Sequence, residues 1–123
     1  MTAPSRDDLL RSLYRAFNAR DIDTVLAAMA PDVDWPNGWE GGRVRGTEAV
    51  REYWTRQWAA IDPGVEPVGV ATRTDGTVAV DVDQVVRDLD GAVVAQDRVV
   101  HVYTLRDGRI ARMDIEEGGA DRS

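Results

Sequence analysis

The sequence predicts an α+β domain in which three helices precede a four-stranded antiparallel sheet that closes around a ligand-sized pocket. Three observations support this fold class. Apolar residues recur at helical spacing up to about residue 61, and from residue 65 onward they alternate with polar residues. Three Asp-Gly dipeptides separate the alternating segments, as is typical of tight β-hairpin turns. Helices followed by strands are the order expected when helices cover one face of a sheet.

Helical spacing of the apolar residues predicts three helices in the first half of the chain. The first covers residues 7–19 and has Ser5 as its N-cap. The second is short and ends before Pro31, because the residue before a proline disfavours helical geometry. The third covers about residues 48–60 and has Thr47 as its N-cap. The apolar residues expected to face inward are Leu9, Leu10, Leu13, Tyr14 and Phe17, then Ile22, Val25, Leu26 and Met29, and finally Val50, Tyr53, Trp54, Trp58 and Ile61.

The chain between the second and third helices is expected to be mostly irregular. Residues 32–35 form a brief extended segment there, and residues 36–46 form a glycine-rich loop. After Pro63-Gly64 the apolar period becomes two, which is typical of strands with one buried face. The strands are expected at residues 65–73, 77–87, 92–105 and 109–117, within a single domain over residues 1–123 that has an ordered core at about 7–117.

The register of the central hairpin decides which side chains face the pocket. A two-residue Asp90-Gly91 loop would pair Asp83 with Arg98. Opposite charges that face each other across two strands are typical of a solvent-exposed face. The valines of the second strand then face inward, as do His101 and Tyr103.

Composition and charge exclude several classes of function. The net charge is −7 and all 15 basic residues are arginines without a clear cluster, so neither nucleic acid nor a membrane is an expected partner. The chain has no cysteine for thiolate chemistry and no lysine for a Schiff base. A single histidine and scattered carboxylates lack metal-ligand spacing, so neither a metal nor a cofactor is expected. With no apolar signal or membrane-spanning run, the expected location is cytoplasmic.

Four segments of the chain match a pattern known from one protein family. They are residues 18–26 (Asn-Ala-Arg-Asp-Ile-Asp-Thr-Val-Leu), 30–35 (Ala-Pro-Asp-Val-Asp-Trp), 45–54 (Arg-Gly-Thr-Glu-Ala-Val-Arg-Glu-Tyr-Trp) and 101–110 (His-Val-Tyr-Thr-Leu-Arg-Asp-Gly-Arg-Ile). Together they resemble the SnoaL-like, ketosteroid-isomerase-like family of the nuclear transport factor 2-like superfamily. The resemblance implies a cone-shaped, cystatin-like fold with three N-terminal helices on a curved antiparallel sheet of four to six strands. It also implies a homodimer formed through the outer face of that sheet.

The resemblance leaves the reaction open, because the superfamily includes isomerases, polyketide cyclases, epoxide hydrolases, dehydratases and binding modules. The catalytic tyrosine, carboxylate base and aspartic acid of ketosteroid isomerases fall here on Leu13, Asn37 and His101. Limonene-type epoxide hydrolases share the asparagine at Asn37, but their catalytic triad is missing. The histidine of the polyketide cyclases falls on His101, whereas its aspartate partner falls on Ile115. No known catalytic set is complete.

Three residues are the candidates for catalysis. His101 on an inward strand position is either a general base or hydrogen-bonding group, or a core histidine. Asp97 is either an inward carboxylate with a raised pKa, or an exposed residue at the end of the hairpin. Asn37 is either a polar group of the site, or a turn residue in Pro-Asn-Gly.

Aromatic and inward-facing residues are the candidates for ligand contact. Four tryptophans lie within residues 35–58, and aromatic walls suit a flat, mostly apolar ligand. The register of the last hairpin stays open. The favoured register places Asp114 outward and its neighbours Met113 and Ile115 inward. The candidates are Tyr14, Trp35, Trp39, Tyr53, Trp58, Val82, Gln84, Tyr103, Met113 and Ile115.

These residues favour a cofactor-independent acid–base enzyme of the isomerase, polyketide-cyclase or dehydratase type. Its substrate would be a small apolar, aromatic or polycyclic carbonyl compound. The alternative is a non-catalytic ligand-binding or accessory module with the same pocket. The missing carboxylates favour the second function, and an inward histidine with polar neighbours favours the first.

Overall fold

The computed structural model describes residues 6–37 and 41–117, so Ser5 and Trp39, two residues of the sequence predictions, lie outside the described residues. Three helices and six strands follow one another along these segments. They are α1 (Arg6–Asn18), α2 (Ile22–Ala27), β1 (Met29–Pro36), β2 (Arg43–Arg45), α3 (Thr47–Ala60), β3 (Asp62–Thr72), β4 (Val78–Arg87), β5 (Val93–Arg106) and β6 (Arg109–Glu117). The predicted α+β class, with three helices packed on a curved sheet, is confirmed.

The sheet has six strands in the order β2-β1-β6-β5-β4-β3. The four predicted strands form its antiparallel part, β3 to β6. Strand β1 extends the sheet by pairing with β6 in parallel, and β2 pairs with β1. The sheet is therefore mixed, because β1 reaches β6 through a long crossover that contains most of the chain. Met29, expected on the second helix, is instead the first residue of β1.

The predicted register of the central hairpin is confirmed, although its turn differs from the prediction. Asp83 pairs with Arg98, and Val80 pairs with His101. The loop is longer than two residues, because the Asp88 N–H donates to the Ala92 carbonyl at 2.8 Å. A bulge in β5 shifts the pairing by one residue between Val86 and Arg87, which offsets the longer loop.

Helix α3 begins without the predicted side-chain cap. Gly46, with φ of 88°, holds the N-cap position, and Thr47 is the first helical residue. The Gly46 N–H donates to the Val33 carbonyl at 2.8 Å, which ties the start of the helix to β1. This left-handed backbone conformation favours glycine, so the cap falls one residue earlier than the threonine suggested.

The hydrophobic core lies between the helices and the inner face of the sheet. Val78, Val80 and Val82 on β4 are fully buried there, as the alternation predicts. Leu10 on α1 and Val50 on α3 pack against the same core. The outer face carries ion pairs, including Asp83 with Arg98 and Arg73 with Glu116. None of the described helices has the length and apolar character needed to cross a membrane.

Candidate active site

A cavity of about 500 Å³ opens between the inner face of the sheet and the helices α1 and α3. Strands β4, β5 and β6 form its floor, and side chains from both helices form the opposite wall. Ile115 lines the cavity but remains 44% exposed, which places it at the open end. The volume lies within the usual range of small-molecule sites, ~300–1,000 Å³.

Most of the predicted ligand contacts lie on the cavity wall. Pairing of His101 with Ile115 and of Tyr103 with Met113 also defines the register of the last hairpin, with all four side chains on the inner face. The predicted residues that line the cavity are Tyr14, Trp35, Tyr53, Gln84, His101, Tyr103, Met113 and Ile115.

Asp97 and Asn37 do not lie on the wall. Asp97 pairs with Gln84 as expected and shares its inward parity, but the residue is exposed rather than buried. Asn37 is only 6% exposed; its N–H donates to the Gly42 carbonyl, and its own carbonyl accepts from the Gly41 N–H.

Val82 and Trp58 also lie off the wall. Val82 is fully buried in the core next to the cavity. Trp58 packs against Phe17 and Trp54, with the Arg20 guanidinium 4.8 Å from its ring centroid. Its indole N–H is buried, and the described residues offer it no hydrogen-bond partner.

Several wall residues were not predicted from the sequence. Trp54, assigned to the core, lines the cavity and meets Trp35 edge to face at 5.5 Å between ring centroids. Phe17 and Gln57 are also on the wall. Phe17 follows the candidate residue Tyr14 by three positions, and Gln57 follows the candidate residue Tyr53 by four. Residues at these spacings share one helix face, so the helical period contained the signal that would have found them.

Three polar side chains form a hydrogen-bonded chain at the inner end of the cavity. The Tyr14 hydroxyl lies 2.7 Å from the Tyr103 hydroxyl and 2.8 Å from Nδ1 of His101. Tyr14 comes from the inward stripe of α1, whereas His101 and Tyr103 are alternate residues on the inner face of β5. Within the described part of the chain, Nε2 of His101 has no hydrogen-bond partner, and it is not among the fully buried unpartnered atoms.

Burial determines the protonation of these three hydrogen-bonded side chains. It lowers the pKa of His101 to about 4, because an imidazolium ion would lose its hydration there. Burial also raises the pKa of Tyr103, and it raises the pKa of Tyr14 together with the adjacent Tyr103. All three groups are therefore neutral at pH 7. The described wall contains no aspartate or glutamate, and the described residues contain no cluster of three or more potential metal ligands.

A curved sheet, three covering helices and an aromatic cavity with one buried polar chain define a ligand-pocket protein of the nuclear transport factor 2-like class. The SnoaL-like domain model matches residues 10–113. The chain therefore belongs to the SnoaL-like family, as its sequence motifs indicated. No curated protein matches it in sequence.

Solved structures share this fold. TerC, co-crystallised with polyporic acid, is 27% identical over 94% of this chain and 92% of that chain, with a TM-score of 0.77. A Sinorhizobium meliloti protein, proposed to be a polyketide cyclase, is 25% identical over 89% of this chain and 94% of that chain, with a TM-score of 0.74. RV0760c from Mycobacterium tuberculosis, solved with estradiol-17beta-hemisuccinate, is similar in fold at 24% identity, with coverages of 85% and 87% and a TM-score of 0.73.

Proposed function

We propose that this protein binds a flat, mostly apolar carbonyl compound in the cavity and acts on it without a cofactor. The reaction would be an isomerisation, cyclisation or dehydration that passes through an enol or enolate. The observation that carries this proposal is the neutral His101, which lines an otherwise largely apolar and aromatic wall and whose Nε2 has no hydrogen-bond partner among the described residues. A few polar atoms in such a wall select both a ligand oxygen and its position.

The wall supports the choice of ligand class. Trp35 and Trp54 lie edge to face on the wall, and Val99 and Met113 also line it. Aromatic and aliphatic surfaces of this kind favour rings over charged or sugar-like compounds. The co-crystal of TerC with polyporic acid supports a small-molecule ligand for a relative at 27% identity.

His101 is the group on the wall best suited to chemistry at a carbonyl. Its lowered pKa, about 4, keeps the imidazole neutral at physiological pH, so Nε2 either donates a hydrogen bond to the oxygen or accepts a proton from carbon. Both roles lower the barrier to enolisation and thereby raise its rate, typically by about 10²-fold or more. Tyr14 bonds to the imidazole and Tyr103 bonds to Tyr14, so the two tyrosines hold the ring in place.

Hydrogen–deuterium exchange at carbon tests the enzymatic function. A polycyclic ketone with exchangeable α-protons, such as 2-tetralone, is incubated with the protein in D2O and followed by proton NMR. We expect His101→Gln to reduce the exchange that the protein catalyses by ~10²-fold while ketone binding persists. Asp97→Asn is the matched control, because this exposed carboxylate lies off the wall and its removal should leave the rate unchanged. Equal rates in the His101 variant and the parent would reject the proposal.

The second candidate function is a non-catalytic binding module. It is favoured by the described wall itself, which has no carboxylate to act as a base. Tight ketone binding together with exchange no faster than in buffer would establish this function instead. The ligand class is the same in both cases.

We also propose that two copies associate through the outer sheet face. The cross-strand pair of Asp83 and Arg98 and the pair of Arg73 and Glu116 give this face alternating charge, which suits a polar, self-complementary interface. Light scattering coupled to size-exclusion chromatography should give twice the mass of the chain. Arg98→Glu should shift that mass toward the monomer, and a parent that elutes as a monomer would contradict the dimer.

A further inference from the structure

We infer that Tyr14 fixes the tautomer of His101, so that the imidazole presents an N–H donor to the cavity and selects ligands with an acceptor atom at that point. Tyr14 is thus a positioning residue that acts through His101. The tautomer depends only on hydrogen bonds within the protein. The choice of ligand atom additionally rests on the function proposed above.

Each of the two tyrosine hydroxyls carries one hydrogen that needs an acceptor. In one arrangement, the Tyr103 hydroxyl donates to Tyr14, and the Tyr14 hydroxyl donates to Nδ1 of His101. In the reverse arrangement, an N–H at Nδ1 donates to Tyr14, and Tyr14 donates to Tyr103. The Tyr103 hydrogen would then lack an acceptor, because Tyr103 is 1% exposed and Tyr14 is its only hydrogen-bond partner among the described residues. An unpaired buried donor is costly, so the first arrangement is the stable one.

The tautomer determines what the cavity offers a ligand. A neutral imidazole carries one N–H, and with Nδ1 accepting from Tyr14 that hydrogen must lie on Nε2. The only free lone pair of the ring is thereby directed at Tyr14, away from the ligand. His101 consequently acts as a hydrogen-bond donor to a carbonyl or enolate oxygen and not as the general base, and the proton that leaves carbon in the proposed enolisation passes to solvent water in the open cavity. Neutral histidines that polarise carbonyl groups are known from other enzymes.

The chain contains a single histidine, so the tautomer can be read directly from [15N]histidine-labelled protein. At pH 7 without ligand, we expect Nε2 to show the shift of a protonated nitrogen and Nδ1 that of an unprotonated one. In Tyr14→Phe the 15N shifts of both ring nitrogens should move toward the average expected for a mixture of the two tautomers. In Tyr103→Phe the parent pattern should persist, because the Tyr14 hydrogen still needs Nδ1 as its acceptor. Each variant removes one hydroxyl from the same chain, and amide spectra verify that both fold.

Two matched tricyclic probes test the selection of the ligand atom. Fluorenone presents a carbonyl acceptor where carbazole presents an N–H donor. The parent and Tyr103→Phe should bind fluorenone ~10-fold or more tightly than carbazole, and Tyr14→Phe should narrow this ratio. Equal affinities with the Nε2–H tautomer present would leave the tautomer assignment standing and contradict carbonyl binding at His101. A parent with protonated Nδ1, or equal averaging in both phenylalanine variants, would overturn the inference.

Discussion

Tyr14 and His101 are separated by 87 residues in the chain, yet the tyrosine hydroxyl lies 2.8 Å from Nδ1 of the imidazole. The contact joins the middle of α1 to the inner face of β5, so it forms only when the helix has packed on the sheet. The same packing buries the imidazole and lowers its pKa to about 4. One contact therefore links the tertiary fold to the chemistry of the cavity.

The lowered pKa of His101 predicts a specific dependence of stability on pH. An unfolded histidine takes up a proton near pH 6.5, whereas the folded one does so only near pH 4. Between these values the unfolded state binds more protons, so the contribution of His101 to stability falls as the pH falls from 6.5 to 4 and is constant outside that window. The expected loss is on the order of 3 kcal/mol. Tyr14 and Tyr103, which contact the ring, stay neutral throughout because their pKa values are raised.

Urea unfolding of the parent and of His101→Gln at several pH values measures this contribution. All other titrating groups are shared by the two proteins, so their stability difference isolates the histidine. The difference should change with pH between 6.5 and 4 in favour of the variant. Parallel stability curves through this window would show that the folded imidazole titrates normally.

The sequence predicted the central hairpin well because its information is local. Alternating valines and the opposite charges of Asp83 and Arg98 permit one register only, since a shift by one residue would bring the charges inside. The β5 bulge was not predictable from Asp90-Gly91 alone. A two-residue loop and a longer loop with a bulge lead to the same strand pairing.

The parallel pairing of β1 with β6 and the limits of the cavity depend on non-local packing. Met29 is compatible with either a helix or a strand, and β1 becomes a strand because the edge of β6 is there to pair with it. Asp97 pairs with Gln84 and therefore lies on the inner face of the sheet. Alternation alone does not show that this position is exposed to solvent. Alternation along a strand predicted which face each side chain lies on, whereas the burial of that side chain depends on the complete fold.

Asp34 and Asp83 each form ion pairs with arginine, but they should differ strongly in their contribution to stability. The Asp34 side chain is 13% exposed and bonds to Arg43 and Arg112, with a lowered pKa caused chiefly by the Arg43 hydrogen bond. Asp34→Ala leaves Asp114 as the one carboxylate among the described residues that Arg43 and Arg112 share, and it removes the less exposed of their two carboxylates, so Tm should fall by ~5 °C or more. Asp83→Ala removes a pair exposed by over 40% on both sides, and Tm should change by less than ~3 °C. Calorimetry of both variants checks the contrast, and similar shifts would contradict it.

Tryptophan fluorescence should report ligand binding mainly through the wall residues. Trp35 lines the cavity, whereas Trp58 lies behind the wall on the far side of Trp54. A polycyclic ketone in the cavity should quench the parent, and Trp35→Phe should lose a larger share of that change than Trp58→Phe. Equal losses would mean that the probe binds away from Trp35. Isothermal titration of the same variants separates a loss of signal from a loss of binding.

The amide of Gln84 should favour ligands with a second oxygen far from the first. Gln84 lies on the cavity wall, and its side chain has no hydrogen-bond partner among the described residues. It follows Val80, the strand partner of His101, by four positions, which places it ~13 Å further along the sheet.

An elongated diketone can reach both groups, whereas a monoketone of the same shape bonds to His101 alone. Gln84→Leu keeps the approximate size and the apolar contacts of the side chain. It should therefore weaken the affinity for the diketone by ~10-fold and leave the affinity for the monoketone within a factor of about two. Calorimetric titration of both ligands provides the comparison. Equal weakening of the two would indicate that Gln84 shapes the wall rather than bonds to the ligand. An unchanged affinity for both would place the far end of the ligand elsewhere in the cavity.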